Sequence, residues 1–269
     1  MKAHKPITLL TDFGHYDPYV GIMKGVILGI LPQVPIIDLC HRCSAYDIEE
    51  AAFLLHLSYR YFPAETIHVI VVDPGVGGPR RPLLVTTERY YFIAPDNGIL
   101  SYIYETGDFR RAFEITASHY FLNPSSSTFH GRDIFAPVAA YLRKGIPPEA
   151  FGPEIHDVVK LPLSRPQWSR KEGTLKGTVL HVDSFGNLIT NISHHDLEEF
   201  RSTISRRKIA IKLGGSEIQG IKTFFAQGEE GRLEAIMGSC GYLEIFVNRG
   251  NASLVSGMGK GTEVILSPL

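Results

Sequence analysis

The chain has 269 residues, 44% of them hydrophobic and 20% charged, with a net charge of −1. That balance describes a soluble globular protein of one large or two smaller domains, and it leaves no basic stripe of the kind a nucleic-acid footprint needs. No apolar run reaches the length of a membrane span, because Pro32, Pro35 and scattered charges interrupt every candidate.

The opening "MKAHKPITLLTDFG" has a basic start but only a short apolar stretch. It reads as a first strand rather than a signal peptide, and the expected location is the cytoplasm. "PITLL" is then a strand, "YVGIMKGVILGIL" a helix, "VPIIDL" a strand, "DIEEAAFLLHLSYRYF" a helix and "TIHVIVV" a strand. In the second helix Asp47 fits the N-cap, Glu49 and Glu50 fit the first turn, and apolar residues recur at helical spacing. Strands alternating with helices of this length predict an α/β domain over residues 1–145, a mostly parallel sheet sandwiched by helices. "LLVTT" and "YYFIA" read as an added antiparallel pair, and "RDIFAPVAAYLRK" as a further helix that Asp133 could cap. Residues 146–172 carry Pro147, Pro148, Pro153, Pro162 and Pro166 and predict an extended linker. Residues 173–269 favour short strands, among them "TLKGTVLHVD", "NLITNI", "KIAIKL", "YLEIFVN" and "EVILS", and predict a small β-barrel.

The cysteines are Cys40, Cys43 and Cys240. "CHRC" could be half a zinc site, but no second ligand pair follows at comparable spacing. A redox pair normally opens a helix, whereas this one follows a strand and enters a loop. The reading is reduced structural thiols, with no metal expected.

In an open parallel sheet, ligands bind beyond the carboxyl ends of the strands. Two strands end there on aspartate: "ITLLTDFG" gives Asp12 and "VIVVDPG" gives Asp73. Either alone is readily a turn or cap residue, but two at one edge point to a site. The loop "GVGGPRR" fits neither phosphate-binding fingerprint, since it lacks both the G-x-G-x-x-G order and a G-K-[ST] ending. Its Arg80 and Arg81 could simply be solvated. "STFHGRDIF" places His130 and Arg132 ahead of a helix. In "VDSFGNLITN" a strand breaks at Asp183 and offers Phe185 and Asn187 before resuming. A phenyl ring can stack on a base and an amide matches an adenine edge, although "FGN" is also good turn chemistry. "GSCGYLEIFVNRGNAS" mixes glycine turns with Ser239 and Glu244.

Taken in order, "LLTDFG", "YDIEEA", "VVDPGVG" with "RR", "IAPDNGIL", "FHGRDIFAP", "SFGNLITN" and "GYLEI" resemble the S-adenosyl-L-methionine hydroxide adenosyltransferase family, hydrolase relatives of the fluorinating and chlorinating enzymes. The resemblance implies hydrolysis of S-adenosyl-L-methionine (SAM), with the (R)-sulfonium epimer as a candidate substrate, to adenosine and L-methionine by attack of water or hydroxide on ribose C5′. It implies a homotrimer with the nucleoside held between the N-terminal domain of one subunit and the C-terminal domain of its neighbour. By motif position the catalytic set falls on Asp73, Arg80 and His130, with Arg81 the alternative to Arg80. Asp12 matches the carboxylate on the ribose hydroxyls, and Tyr46 a position beside the substrate. Phe185, Asn187 and Phe225 match the adenine pocket, and Asp183, Ser239 and Glu244 the methionine end. No cofactor or metal is implied. The complete Asp–Arg–His set, which the halogenating relatives lack, favours hydrolysis over a halide-dependent transferase; a non-catalytic nucleoside sensor is the rival from another class.

Overall fold

The computed structural model describes residues 5–204 and 208–269. The chain divides into two compact units, Met1–Leu163 and Ser164–Leu269.

The N-terminal unit is built on seven strands: β1 (Ile7–Thr11), β2 (Ile36–Cys40), β3 (Ile67–Val71), β4 (Pro82–Thr87), β5 (Tyr91–Pro95), β6 (Phe109–Glu114) and β7 (Glu154–Ile155). Their order across the sheet is β2-β1-β3-β5-β4-β6-β7. β2, β1, β3 and β5 run parallel, and β4, β6 and β7 continue as an antiparallel extension. The expected antiparallel pairing of "LLVTT" with "YYFIA" is present, but β5 also joins β3 in parallel and so belongs to the central sheet.

Helices α1 (Tyr19–Ile30), α2 (Ile48–Ser58), α3 (Ser101–Glu105) and α4 (Ala136–Arg143) cover the two faces. The alternation of strand side chains decides what each helix meets. Ile7, Leu9, Val69 and Val71 pack with Met23 and Ile27 of α1 and Val138 and Ala139 of α4. Leu10, Ile70 and Val72 point the other way, onto Ala51, Ala52 and Leu55 of α2 and Ile103 of α3. Asp47 caps α2, accepting from the backbone N–H of Glu50. The chain passes from β1 to β2 on one side and then returns over β1 to β3, so the direction of winding reverses between β1 and β3. That reversal opens a crevice at the carboxyl ends of these two strands.

The C-terminal unit contains β8 (Gln167–Ser169), β9 (Thr174–Val182), β10 (Leu188–Ser193), α5 (His194–Thr203), β11 (Ile209–Leu213), β12 (Ser216–Gln219), β13 (Leu233–Met237), β14 (Tyr242–Val247), α6 (Ala252–Ser256) and β15 (Glu263–Pro268). The antiparallel path runs β12-β11-β15-β9-β10-β14-β13, with β8 on β9. It nearly closes on itself, because Lys222, just beyond β12, donates its N–H to Ala235 O of β13 at 2.7 Å. Leu175, Val179, Leu188, Ile192, Ile211 and Ile245 fill the barrel interior together with Phe200 of α5.

The proline-rich stretch 146–172 is less free than an extended linker. Its early part adds β7 to the first sheet, its late part adds β8 to the second, and between them Val159 and Leu161 donate N–H groups to Asp96 and Ser101. The five prolines favour extended backbone here, and extended backbone finds partners along a sheet edge. No helix among the described residues is long and apolar enough to cross a membrane.

Candidate active site

β1 and β3 pair in parallel register, Thr11 beside Val71, so the residues that follow leave the sheet side by side. These bring Asp12 and Asp73 to one cavity of about 300 Å³, whose wall also includes Phe13, Tyr19, Tyr46, Phe129 and His130. Asn97, from the turn after β5, donates its side-chain amide to Val72 O at 2.9 Å and so fixes the strand end just ahead of Asp73.

The loop after Asp73 then folds back. Arg80 grips the Asp73 carboxylate with two donors, Nε to Oδ1 at 3.0 Å and Nη2 to Oδ2. Both side chains are almost wholly buried. Such a bidentate fork fixes orientation as well as charge. The glycines make this return possible. A side chain at Gly77 would stand 2.1 Å from Ser127 O, and its backbone has φ +74°. A glycine there lets the Asp73–Arg80 loop lie against the segment that leads to His130. The glycine-rich loop therefore serves loop-to-loop approach rather than a phosphate.

Arg80 Nη2 also lies 2.8 Å from His130 Nδ1. A guanidinium has no acceptor, so in this contact Arg80 donates and Nδ1 must be the unprotonated nitrogen. The ring is then neutral, with its proton on Nε2. Burial, and then the Arg80 charge, push His130 below the ordinary histidine value, which favours the same form. His130 stands immediately before a π-helical turn, Gly131–Phe135, that runs into α4. Asp133 does not cap this helix. It is fully buried, accepts from Ser126 N at 2.7 Å and from Arg132 Nε at 2.6 Å, and so ties down the loop carrying His130.

The neighbouring Arg81 takes a different course. It binds Asp96 and Asp157, at 2.6 and 2.7 Å, and does not reach Asp73. Asp12 Oδ2 accepts from the backbone N–H of Tyr46 at 2.9 Å. Tyr46 has φ +66°, uncommon for a residue with a side chain, and the residue is 71% exposed.

The remaining predicted residues lie in the C-terminal unit. Asp183 organises the β9–β10 turn: Oδ1 accepts from Phe185 N and Asn187 N, and Oδ2 from the Asn187 side chain at 3.0 Å. This turn presents Phe185 outward, 75% exposed, and keeps Asn187 buried. Phe225 stacks edge-on against Phe246, their centroids 5.0 Å apart. Glu244 of β14 is buried and is pushed up to about 7, first by burial and then by the charge of nearby Asp183. Gly238 packs directly on it, and Ser239 beside that glycine is exposed.

The sequence carries no signal for the roles of Asp96 and Asn97, and for Asp133 it suggests only the helix cap that the residue does not form. Asn97 fixes the strand end ahead of Asp73, Asp133 the loop carrying His130, and Asp96 holds Arg81 away from Asp73; single carboxylates and amides in loops carry no pattern that separates clamp from turn. Phe13, Tyr19 and Phe129 were equally silent, being aromatic residues of ordinary core type.

Both units match one family in order. Residues 7–152 match the SAM hydroxide adenosyltransferase N-terminal domain and residues 177–265 its C-terminal domain. The chain belongs to the SAM hydroxide adenosyltransferase family. Within it, a protein of Thermus thermophilus named (R)-S-adenosyl-L-methionine hydrolase is 35% identical over 97% of this chain and 99% of that one. A protein of the same name from Methanocaldococcus jannaschii is 36% identical over 92% of this chain and 90% of its own. A fluorinase of Nocardia brasiliensis is more distant, at 28% identity over 96% and 95%. The crystal structure of an uncharacterized conserved protein from Thermotoga maritima superposes with a TM-score of 0.89 at 34% identity, covering 97% of this chain and 99% of the other.

Proposed function

We propose that this protein hydrolyses (R)-S-adenosyl-L-methionine to adenosine and L-methionine, with water attacking ribose C5′. The observation that carries the reading is the Asp73–Arg80–His130 cluster beside Asp12 in one crevice, in a chain whose relatives are named for this reaction.

The chemistry needs little beyond what these side chains offer. A sulfonium leaves carbon as a neutral thioether, so the departing sulfur takes the C5′–S electron pair and requires no acid, no metal and no cofactor. The difficulty lies in the nucleophile. Neutral His130, with Nδ1 occupied by Arg80, has an Nε2–H free to donate to a water oxygen and hold it. Asp73, although gripped by Arg80, retains oxygen lone pairs that can receive a proton as the new C5′–O bond forms. Proton removal by a positioned group is worth ~10²–10⁴-fold, and alignment of the water with C5′ and sulfur adds more. Asp12 Oδ1 would hold a ribose hydroxyl while Oδ2 stays on Tyr46 N. The Asp73 carboxylate also disfavours a halide in the same place, because two anions would share a desolvated crevice.

The nucleobase partners Phe185, Asn187 and Phe225 and the methionine-end residues Asp183, Ser239 and Glu244 belong to the other unit of the chain. We take the working enzyme to be a homotrimer in which a neighbour's C-terminal unit supplies them. The described cysteines are free, in keeping with a reducing compartment such as the cytoplasm.

The test is product analysis. Purified protein is incubated separately with the (R) and (S) sulfonium epimers, and adenosine and methionine are followed by chromatography. Both products should form in equal amounts, faster from the (R) epimer. Retention of intact ligand without turnover would instead leave a nucleoside-binding protein.

A further inference from the structure

Nothing in the proposed chemistry uses Cys40 and Cys43. Cys40 ends β2 and is half-buried, whereas Cys43 is buried in the core beneath α2. Cys43 follows three residues later in the same loop, close enough for the two thiols to interact, and Arg42 N–H donates to the Cys40 sulfur at 3.4 Å. The Cys43 thiol, with the Arg42 N–H and the neighbouring His41, brings Cys40 down to about 6. The interaction with Cys40, together with burial, pushes Cys43 up. An accessible thiolate backed by a buried thiol in contact with it is the arrangement of an attacking and a resolving cysteine. Among the described residues no cluster of three His, Cys, Asp or Glu side chains could hold a metal ion, so the pair has no further ligands for a zinc site.

The pair sits in the loop that builds one wall of the cavity. His41 O accepts from Gly14 N at 2.7 Å, and Tyr46 N donates to Asp12 Oδ2 at 2.9 Å. Between those two pins Ser44 N donates to Glu50 at 2.7 Å, while Ala45 and Tyr46 line the cavity with Asp12. A disulfide requires its sulfurs about 2.05 Å apart, far closer than two non-bonded sulfurs. A movement of Cys43 towards Cys40 would be carried along the loop to the Tyr46–Asp12 pin.

We propose that Cys40 and Cys43 are a reversible modification site for small-molecule disulfides, and that closing their bond pulls Tyr46 off Asp12 and slows turnover. In the first step the Cys40 thiolate attacks one sulfur of the disulfide; that S–S bond breaks and one thiolate leaves with the electron pair and takes up a proton. In the second, Cys43 loses its proton and attacks the Cys40 sulfur, expelling the other thiolate. Two protein thiols are oxidised and one disulfide is reduced to two thiols.

The site itself is tested without reference to SAM. Full-length C240S protein is treated with excess glutathione disulfide and followed by intact mass and peptide mapping. The expected result is loss of two hydrogens, a Cys40–Cys43 link and full reversal by dithiothreitol. In the same background C43A should stop at one glutathione on Cys40, and C40S should stay unmodified over the same time. An unmodified Cys40 in both C240S and the C43A variant would overturn the site, as would a glutathione adduct that never resolves when Cys43 is present. The coupling rests on the hydrolase reading: oxidised protein should turn over SAM at least tenfold more slowly and recover on reduction, whereas the C40S variant should ignore the oxidant. Unchanged turnover of fully oxidised protein would overturn the coupling. Absence of turnover in the reduced protein would count against the hydrolase reading instead, and leaves the mass result standing.

Discussion

At the scale of single residues, the site rests on which arginine faces which carboxylate. Arg80 and Arg81 are adjacent and chemically identical, yet one binds Asp73 and the other Asp96 and Asp157. Asp12 and Asp73 were legible in the sequence because each ends a strand with a clear β pattern. The choice between the arginines was not, because it depends on Asp96 and Asp157, which are distant along the chain. Two outcomes follow for this cluster. Asp73→Ala should lower kcat by roughly 10²–10⁴-fold, the range for a lost proton acceptor, while adenosine affinity by calorimetry changes little; unchanged kcat would remove Asp73 from the mechanism. His130 acts neutral, and its proton affinity is depressed by burial and by Arg80. The acid limb of kcat/KM, read from a pH–rate profile, should therefore fall below the ordinary histidine value of about 6.5. An acid limb above that value would contradict the neutral imidazole.

Elements position these residues through close approaches that composition alone disguises. "GVGG" resembles a phosphate loop, but its Gly77 is there because Ser127 O comes within 2.1 Å of where a Cβ would be. Gly77→Ala should part the Asp73–Arg80 loop from the His130 loop, lowering kcat at least tenfold with a loss in stability of about 1 kcal/mol or more, as for a side chain forced into positive φ. Full activity in this variant would show that the two loops need not touch. The strand and helix order of the N-terminal unit was legible because the period changes plainly from two to 3.6 along it. Placing β5 within the parallel sheet was not, since a hairpin pattern reveals its partner strand but not the second neighbour. In the C-terminal unit α5 begins with a Ser193–Asp196 capping box. The expected strands there left α5 unread, because its sequence is mostly polar and gives only a narrow apolar stripe of Leu197 and Phe200.

For the whole molecule, stability and assembly set where the activity can operate. His68 lies fully buried on β3, 2.7 Å from Thr8 Oγ1 and stacked on Phe92, and burial pushes it down to about 3. Its folded value is depressed, so below about pH 6.5 the unfolded chain binds a proton that the native chain refuses. Stability should fall with pH from about 6.5 towards 3, by about 1.4 kcal/mol per unit from this residue. His56, brought to about 4 by burial and by Arg60, adds to the same slope. Urea titrations at pH 6.5 and 5 should show the midpoint dropping for the native sequence and dropping less for His68→Gln; equal slopes would exclude His68 as the cause. Light scattering on the purified protein should give three chains per particle, and active monomers would overturn the shared-site reading.

The most direct measurement of the central claim is turnover of (R)-SAM in ¹⁸O-labelled water, with and without chloride, with the products resolved by mass. Adenosine carrying one ¹⁸O at C5′, formed at the same rate whatever the chloride concentration, is the expected result. Unlabelled adenosine, or a 5′-chloro nucleoside that rises with chloride, would contradict water attack at that carbon.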